Sequence, residues 1–376
     1  MSASLLLARR ALGRSRVRLF ASVGGVALAL SLTLALDAIY AGVANQLTAY
    51  VDRSGADVWV AQRGVRNLHM VASWLPDNAV GQVRAVDGVA DATPILYSTD
   101  TISAGDERSV AYVIGLPADA AMGGPWQIAQ GESVVGRGGI IVDRGFARRA
   151  GIGIGDPVEV MGGEARIVGL SQGTASLVNS VAFVSFDDFQ ALRGGAPVVS
   201  YVLVRVAPGS APDDVARQIE ARVPGVTALS RPAFAAEERR LVTDMSADVI
   251  AIMSVVGFVV ALAVVALTVY VATLARRREY GVLKALGARN LVLYRVVLVQ
   301  AVLSVGLGFL VGLVFTALLA LLVPFAGSGL ELALSLDSLI KVGLFATIIA
   351  GLAAVVPIRQ VAGVDPAVVF RRGVTP

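Results

Sequence analysis

The sequence predicts an α-helical membrane protein with four transmembrane helices and one large α/β extracytoplasmic domain between the first two. Three observations carry that expectation. Of 376 residues, 56% are hydrophobic and only 16% are charged, against about 25% charged in soluble domains, and mean hydropathy is +0.72. Four windows hold the roughly 20 apolar residues that cross about 30 Å of hydrocarbon at 1.5 Å rise each. Between the first two windows, residues 43–245 show the mixed composition and turn chemistry of a globule.

The elements follow in order. Residues 1–19 form a cytoplasmic amphipathic N-terminus with Arg9, Arg10, Arg14, Arg16 and Arg18 and no acid. The first span is 20–42, interrupted only by small polar residues and Asp37. Its apolar stretch exceeds the roughly 7–15 residues of a secretory h-region, and Ser31-Leu-Thr-Leu-Ala-Leu-Asp37 is a poor cleavage site, so it is expected to be retained. The second span is 246–275, the third 296–323 and the fourth 339–356, where Lys341 lies close enough to one end to snorkel. Between spans two and three, 276–295 carries Arg276, Arg277, Arg278, Lys284, Arg289 and Arg295 against Glu279; the tail 357–376 carries Arg359, Arg371 and Arg372 against Asp365. The connection 324–338 has Glu331 and Asp337 and no base. Positive charge marks the cytoplasmic side, so both termini and 276–295 are expected inside a prokaryotic cytoplasmic membrane, and 43–245 outside. Topology and anionic headgroups account for the basic runs and the net charge of +4, which leaves no role for nucleic acid.

Within 43–245 a β-α-β plan occurs twice. Asp57-Val-Trp-Val-Ala reads as a strand, a helical stretch opens at Pro76, and Asp87-Gly88 turns into a strand from Val89 to Tyr97. Later, the strand from Tyr201, the helix from Pro212 and the turn Pro224-Gly225 repeat it. Pro76 aligns with Pro212, Asp77 with Asp213, Gln82 with Gln218 and Ala85 with Ala221. Two such halves suggest one split ferredoxin-like subdomain; chance likeness of two amphipathic helices would give the same pattern. Residues 100–198 read as a β-rich insert. Its Gly151-Ile-Gly153-Ile-Gly155 run precedes a strand rather than a helix, so a tight turn is expected there and not a phosphate loop.

From Phe234 to Lys284 there is no proline, and the only glycines are Gly257 and Gly281. One helix over 234–276 would be about 64 Å long, a stalk of extra length beyond the second span. The first span extends similarly over Val43 to Arg53. After the second span, Glu279-Tyr-Gly-Val-Leu-Lys-Ala-Leu-Gly287 reads as a short amphipathic helix, with Tyr280, Leu283 and Leu286 on one face, Lys284 off it and Gly287 as its stop. Such a helix suits lipid or a partner's groove.

Composition removes several chemistries. There is no cysteine and one histidine, His69, which excludes disulfide frameworks, thiol nucleophiles and multi-histidine metal centres. Neither lysine, Lys284 or Lys341, ends a G-x-x-x-x-G-K-[ST] run, so the chain has no Walker A loop. No catalytic, metal or cofactor site is expected.

The run Arg276-Arg-Arg-Glu-Tyr-Gly-Val-Leu-Lys-Ala-Leu-Gly-Ala-Arg289 resembles the signature of FtsX/MacB-type ABC transporter permeases. Three other segments are similar to that family: the start Ala11-Leu-Gly-Arg-Ser-Arg-Val-Arg-Leu-Phe20, residues 140–170, and the end Val361-Ala-Gly-Val-Asp-Pro-Ala-Val-Val-Phe-Arg371. The resemblance implies a porter-like subdomain beside a smaller β-rich one. It also implies a homodimer, a separate cytosolic ATPase subunit, and a docking helix whose coupling residues here are Glu279, Tyr280, Leu283, Lys284, Leu286 and Gly287. Membrane lipid and a possible extracytoplasmic adaptor are further partners. Cargoes of the family include macrolides, peptides, haem, lipids and lipoproteins, so export of a hydrophobic or amphipathic cargo is the expected function. Two other readings stay open: a mechanotransmitter that moves no cargo and regulates a cell-wall hydrolase, and a membrane-embedded enzyme. Asp37, His69, Met70 and Asp248 are candidate cargo contacts. His69 beside Met70 has the donor types of a haem-iron pair, although a surface loop histidine explains it as well.

Overall fold

The structure, a computed structural model, describes residues 16–174, 180–195, 197–323 and 332–362. The arginines before Arg16, most of the connection 324–338 and the tail motif from 363 lie outside the described residues. Two compact units form: one from residues up to 42 together with those from 246 onward, the other from Val43–Met245.

Helix α1 (Arg16–Arg53) enters the α/β unit. Then follow β1 (Val58–Gln62), β2 (Leu75–Pro76), α2 (Asn78–Arg84), β3 (Val89–Ala104) and β4 (Glu107–Leu116). Next come β5 (Ile128–Gly131), β6 (Gly139–Asp143), α3 (Arg144–Ala150), β7 (Pro157–Val160), β8 (Gly163–Ser171), β9 (Ser180–Ser185) and α4 (Phe186–Leu192). The unit ends with β10 (Val198–Val199), β11 (Tyr201–Val206), α5 (Pro212–Arg222), β12 (Val226–Ser230) and the start of α6 (Arg231–Ala275).

Strands β12, β1, β11 and β3 lie side by side in that order, every pair antiparallel. With α2 and α5 as the crossovers this is the split β-α-β arrangement that the repeated sequence plan suggests. Helix α5 forms where Pro212 starts it, Asp213 and Asp214 complement its N-terminal dipole, and Val215, Ala216 and Ile219 make a buried stripe. Two sequence expectations shift. Pro76 does not open a helix: Leu75 is buried, and both residues pair with β10, so α2 begins at Asn78. Strand β3 does not stop at Tyr97. It pairs with β11 as far as Ile95, then with β4 from Leu96 to Ala104, because Leu96, Ile102 and Ala104 enter a second core.

That second core belongs to the insert, where β4-β9-β6-β8-β5 continue the sheet and α3 and α4 supply Phe146 and Phe189. Asp143 fixes its corner. One carboxylate oxygen caps α3 through Gly145 N–H at 2.6 Å, and the other accepts from the N–H and hydroxyl of Thr174. Gly151 ends α3 with φ of 68°, so the glycine run makes turns as expected.

Alternation along β1 divides the first core. Val58 and Val60 meet the crossover helices, and Trp59 and Ala61 face the other side. On that other side the sheet is covered by the ends of the two long helices: Tyr50 and Val51 from α1, Phe234 and Ala235 from α6. Phe234 stacks on Trp59 with ring centroids 5.0 Å apart, and Tyr50 meets Trp59 edge-on at 5.8 Å. Both rods therefore end inside the hydrophobic core of the domain.

Burial, the larger cause, raises the hydroxyls of Tyr97 and Tyr201 above the phenol value of 10.0, and the carboxylate of Glu238 adds to it. A raised pKa means that the folded state holds the proton more tightly than the unfolded chain. The contribution is complete below about pH 10 and is lost as pH climbs beyond it. The melting temperature of the full-length protein is expected to be level from pH 7 to 9 and to fall steeply above 10. A flat profile to pH 11 would show that these hydroxyls are solvated.

The membrane unit contains α1, α6, α7 (Arg277–Ala285), α8 (Asn290–Leu322) and α9 (Leu336–Ala362). Among the described residues, four helical stretches are long and apolar enough to cross a bilayer: Val23–Arg53, Ala251–Ala275, Asn290–Leu322 and Leu336–Gln360. Val26, Leu30 and Leu34 of α1 pack with Ala261 and Val265 of α6, Val297 and Ala301 of α8, and Ala346 and Ala350 of α9. Lys341 is held by Asp337 at 2.6 Å, one turn earlier on the same helix.

Candidate functional site

Helix α6 is 45 residues long, about 67 Å at helical rise, and it breaks at Arg276, whose φ is −111°. Helix α7 follows at once. Its end is a Schellman motif: Ala288 N–H donates to Leu283 O and Gly287 N–H to Lys284 O, with Gly287 at φ +86°. Gly287 thus stops the helix for the conformational reason that favours glycine there.

The structure divides the face that the sequence assigns to a partner's groove. Tyr280 is only 4% exposed and belongs to the core of its own membrane unit; Leu283 packs partly against the same core. Leu286 is 80% exposed and Val282 is 40% exposed, while Glu279 and Gly287 are exposed and Lys284 is half-buried. Tyr280 therefore anchors α7 to its own unit, and Leu283 does so in part. The apolar surface that α7 presents is Val282 and Leu286. Helical spacing of 3 or 4 marks an apolar stripe without saying which neighbour covers it.

A second constellation lies in the α/β unit. Glu238, the second turn of α6, is fully buried. Its carboxylate accepts from Leu68 N–H and from His69 Nδ1, the latter at 2.5 Å. A carboxylate offers only acceptors, so the Nδ1 proton is on the histidine. The opposite nitrogen, Nε2, bonds the hydroxyl of Tyr112. Both ring nitrogens are thus engaged by protein groups, and His69 has no nitrogen to offer a haem iron. The expectation of a surface loop histidine is likewise corrected, since its side chain is largely enclosed.

Beside this network is a cavity of about 230 Å³, walled by the 68–74 loop, residues 96–99 of β3, the end of α4 with Arg193, and Val198 and Ser200. His69 and Met70 both line it. Asp37 and Asp248 do not join them; they fall in the membrane unit, Asp37 half-buried on α1 and Asp248 exposed on α6. Glu238, Tyr112 and Arg193 are the residues that sequence reasoning misses. Glu237 and Glu238 look equivalent in the chain, yet Glu237 pairs with Arg66 and Arg240 at the surface while its neighbour is buried. Among the described residues no cluster of His, Asp and Glu is arranged to hold a metal ion.

Comparison with known proteins places these features. The MacB-like periplasmic core domain matches residues 19–222, and the FtsX-like permease C-terminal domain matches 251–366. An uncharacterized ABC transporter permease of Mycobacterium bovis is 26% identical over 355 residues, which cover 94% of this chain and 95% of that one. Another from Mycobacterium tuberculosis is 27% identical over 358 residues, with the same coverage of 94% and 95%. Among solved structures, the periplasmic region of MacB from Actinobacillus actinomycetemcomitans aligns at TM-score 0.37 and 11% identity, covering 49% of this chain and 94% of that one. The extracellular domain of the noncanonic ABC-type transporter YknZ from Gram-positive bacteria aligns at 0.35 and 12%, covering 46% and 99%. With the two domain matches in order along the chain, this protein belongs to the FtsX/MacB-type ABC transporter permeases.

Proposed function

We propose that the chain is the membrane subunit of an exporter of hydrophobic or amphipathic cargo, driven as a homodimer by a separate cytosolic ATPase that grips α7. One observation supports this most: α6 has one end in the core of the α/β unit, through Phe234 and Ala235, and adjoins α7 at the other. A displacement of α7 would act on a continuous rod rather than on a loop. The cytoplasmic placement of both termini follows from the charge of the flanking segments. ATP chemistry is assigned to the partner, and the chain supplies its contact surface: Leu286 and Val282 as the apolar patch, and Glu279 as a charged contact in the first turn.

The test is co-purification. An ABC-class ATPase is expected to copurify with the full-length chain, and the chain is expected to change its ATP turnover. Burying a leucine contributes about 1.5–3 kcal/mol, and a carboxylate placed in the same groove is unpaired. Leu286→Asp should therefore weaken the complex at least about tenfold while membrane insertion and melting temperature stay at the parent level, because the side chain touches solvent. Leu283→Asp is a poorer probe, since it also strikes the protein's own core. If Leu286→Asp binds and stimulates the ATPase like the parent, α7 is not the contact.

A further inference from the structure

We propose that the cavity beside His69 binds a small amphiphile with a single anionic group, its head on Arg193 and its apolar body along Trp74 and Met70. The charge of the lining argues for the anion. Among the described residues that line the cavity, Arg193 is the only one of fixed charge and none is a carboxylate. Its guanidinium is positioned by a bond to Ser98 Oγ and by the Phe189 ring, 6.0 Å away. Of its five N–H donors, that on Ser98 is the one engaged among the described residues, and the planar fork matches a carboxylate or phosphate. A cation or a zwitterion would meet this guanidinium with no acid to offset it.

The 68–74 wall argues for the apolar body. Trp74 is 51% exposed and Met70 is 64% exposed, whereas Trp59 is wholly buried in the core. An indole and a thioether facing a cavity form an adaptable apolar surface. Size then limits the class. A volume of about 230 Å³ lies below the roughly 300 Å³ at which pockets for drug-sized ligands begin, so a short alkyl chain or a single ring fits and a macrocycle does not. The site also has a mechanical connection. The 68–74 wall is tied to α6 through Leu68, His69 and Glu238, so an occupant would bear on the rod described above. Only that connection to transport rests on the permease-subunit reading; binding itself does not.

The experiment uses the full-length protein in lipid nanodiscs and a diazirine-bearing decanoic acid, with cross-links mapped by mass spectrometry. Labelling is expected on 70–74 and on the α4–Arg193 peptide, and it should be competed by octanoate and octyl phosphate but not by octanol. Arg193→Gln should lower cavity labelling about tenfold, a change of ~1.4 kcal/mol, leaving the background labelling of the spans as an internal control. Arg193→Lys should retain most of it, which a purely structural role of the guanidinium would not predict. Trp74→Ala, at an exposed side chain, should reduce labelling in a protein that still folds. Labelling confined to the spans, or equal labelling by the matching decanol probe, or no change in either Arg193→Gln or Trp74→Ala, would overturn the site. No ATPase enters the assay, so its failure leaves the coupling proposal standing.

Discussion

Gly312→Leu is expected to leave little folded protein in the membrane. A Cβ at this position of α8 would lie 2.9 Å from the carbonyl oxygen of Ala27 and 3.3 Å from the amide nitrogen of Ser31. Both atoms are backbone of α1, so no side chain can rotate out of the way and the helices must separate. One turn earlier, a Cβ on Gly308 would lie 2.5 Å from Val26 Cγ1. One turn later, Thr316 is buried, with its hydroxyl on Gly312 O at 2.9 Å. Small residues every four positions let these two helices approach closely. In lipid that closeness matters more than in water, because packing rather than the hydrophobic effect drives association of the spans. Overpacking such a contact costs about 3 kcal/mol, and separation also strips contacts from Val26 and Leu30 in the unit's core. Gly306 is the control: a Cβ there meets nothing within 4 Å, and leucine is a better helix former than glycine by about 1 kcal/mol. Size-exclusion of detergent extracts should show parent-like monodisperse protein for Gly306→Leu and aggregate or no peak for Gly312→Leu. A monodisperse Gly312→Leu protein at parent yield would mean that α1 and α8 are not packed this way.

What the sequence made legible follows from local physics. The spans stand out because about 20 apolar residues in a row have few alternatives. The repeated β-α-β plan stands out because Pro212, two acids and a buried stripe set α5 within a dozen residues, and no distant contact is needed to read it. Gly287 is similar, since a helix end that needs positive φ favours glycine wherever the helix lies. The misreadings concern what lies across the fold. Strand β3 is longer than its own pattern suggests because β4 pairs with its second half. Tyr280 turns into its own core because helices distant in sequence offer it a surface, and periodicity alone cannot distinguish a core, a lipid face and a partner's groove. His69 finds its partners at positions 112 and 238, separations that no local window spans.

The same separation hides Glu238, whose fully buried carboxylate fastens the 68–74 loop to α6. Glu238→Ala is expected to destabilise the domain by roughly 2–6 kcal/mol, the cost of stranding two buried donors. Two donors would lose their acceptor at once. Leu68 N–H is enclosed by a residue only 3% exposed, and His69 Nδ1–H is aimed at the missing carboxylate; each unsatisfied buried donor costs about 1–3 kcal/mol. His69→Ala should be nearly as harmful for the converse reason, since it leaves a fully buried carboxylate with one backbone donor. The double variant should then be less destabilised than the sum of the two, by 1 kcal/mol or more, because the second change removes a group that the first had already stranded. Tyr112→Phe removes only a neutral partner of Nε2 and should cost about 1 kcal/mol. Melting of the full-length protein measures the global effect. Hydrogen exchange measures the local one: amides of 66–74 should exchange faster in Glu238→Ala, while β1, whose Trp59 is held by Tyr50 and Phe234, keeps its protection. Single variants that each cost under about 1 kcal/mol and add without coupling would mean that the loop is not fastened to α6 through this carboxylate, and that motion of the rod has no direct hold on the cavity wall.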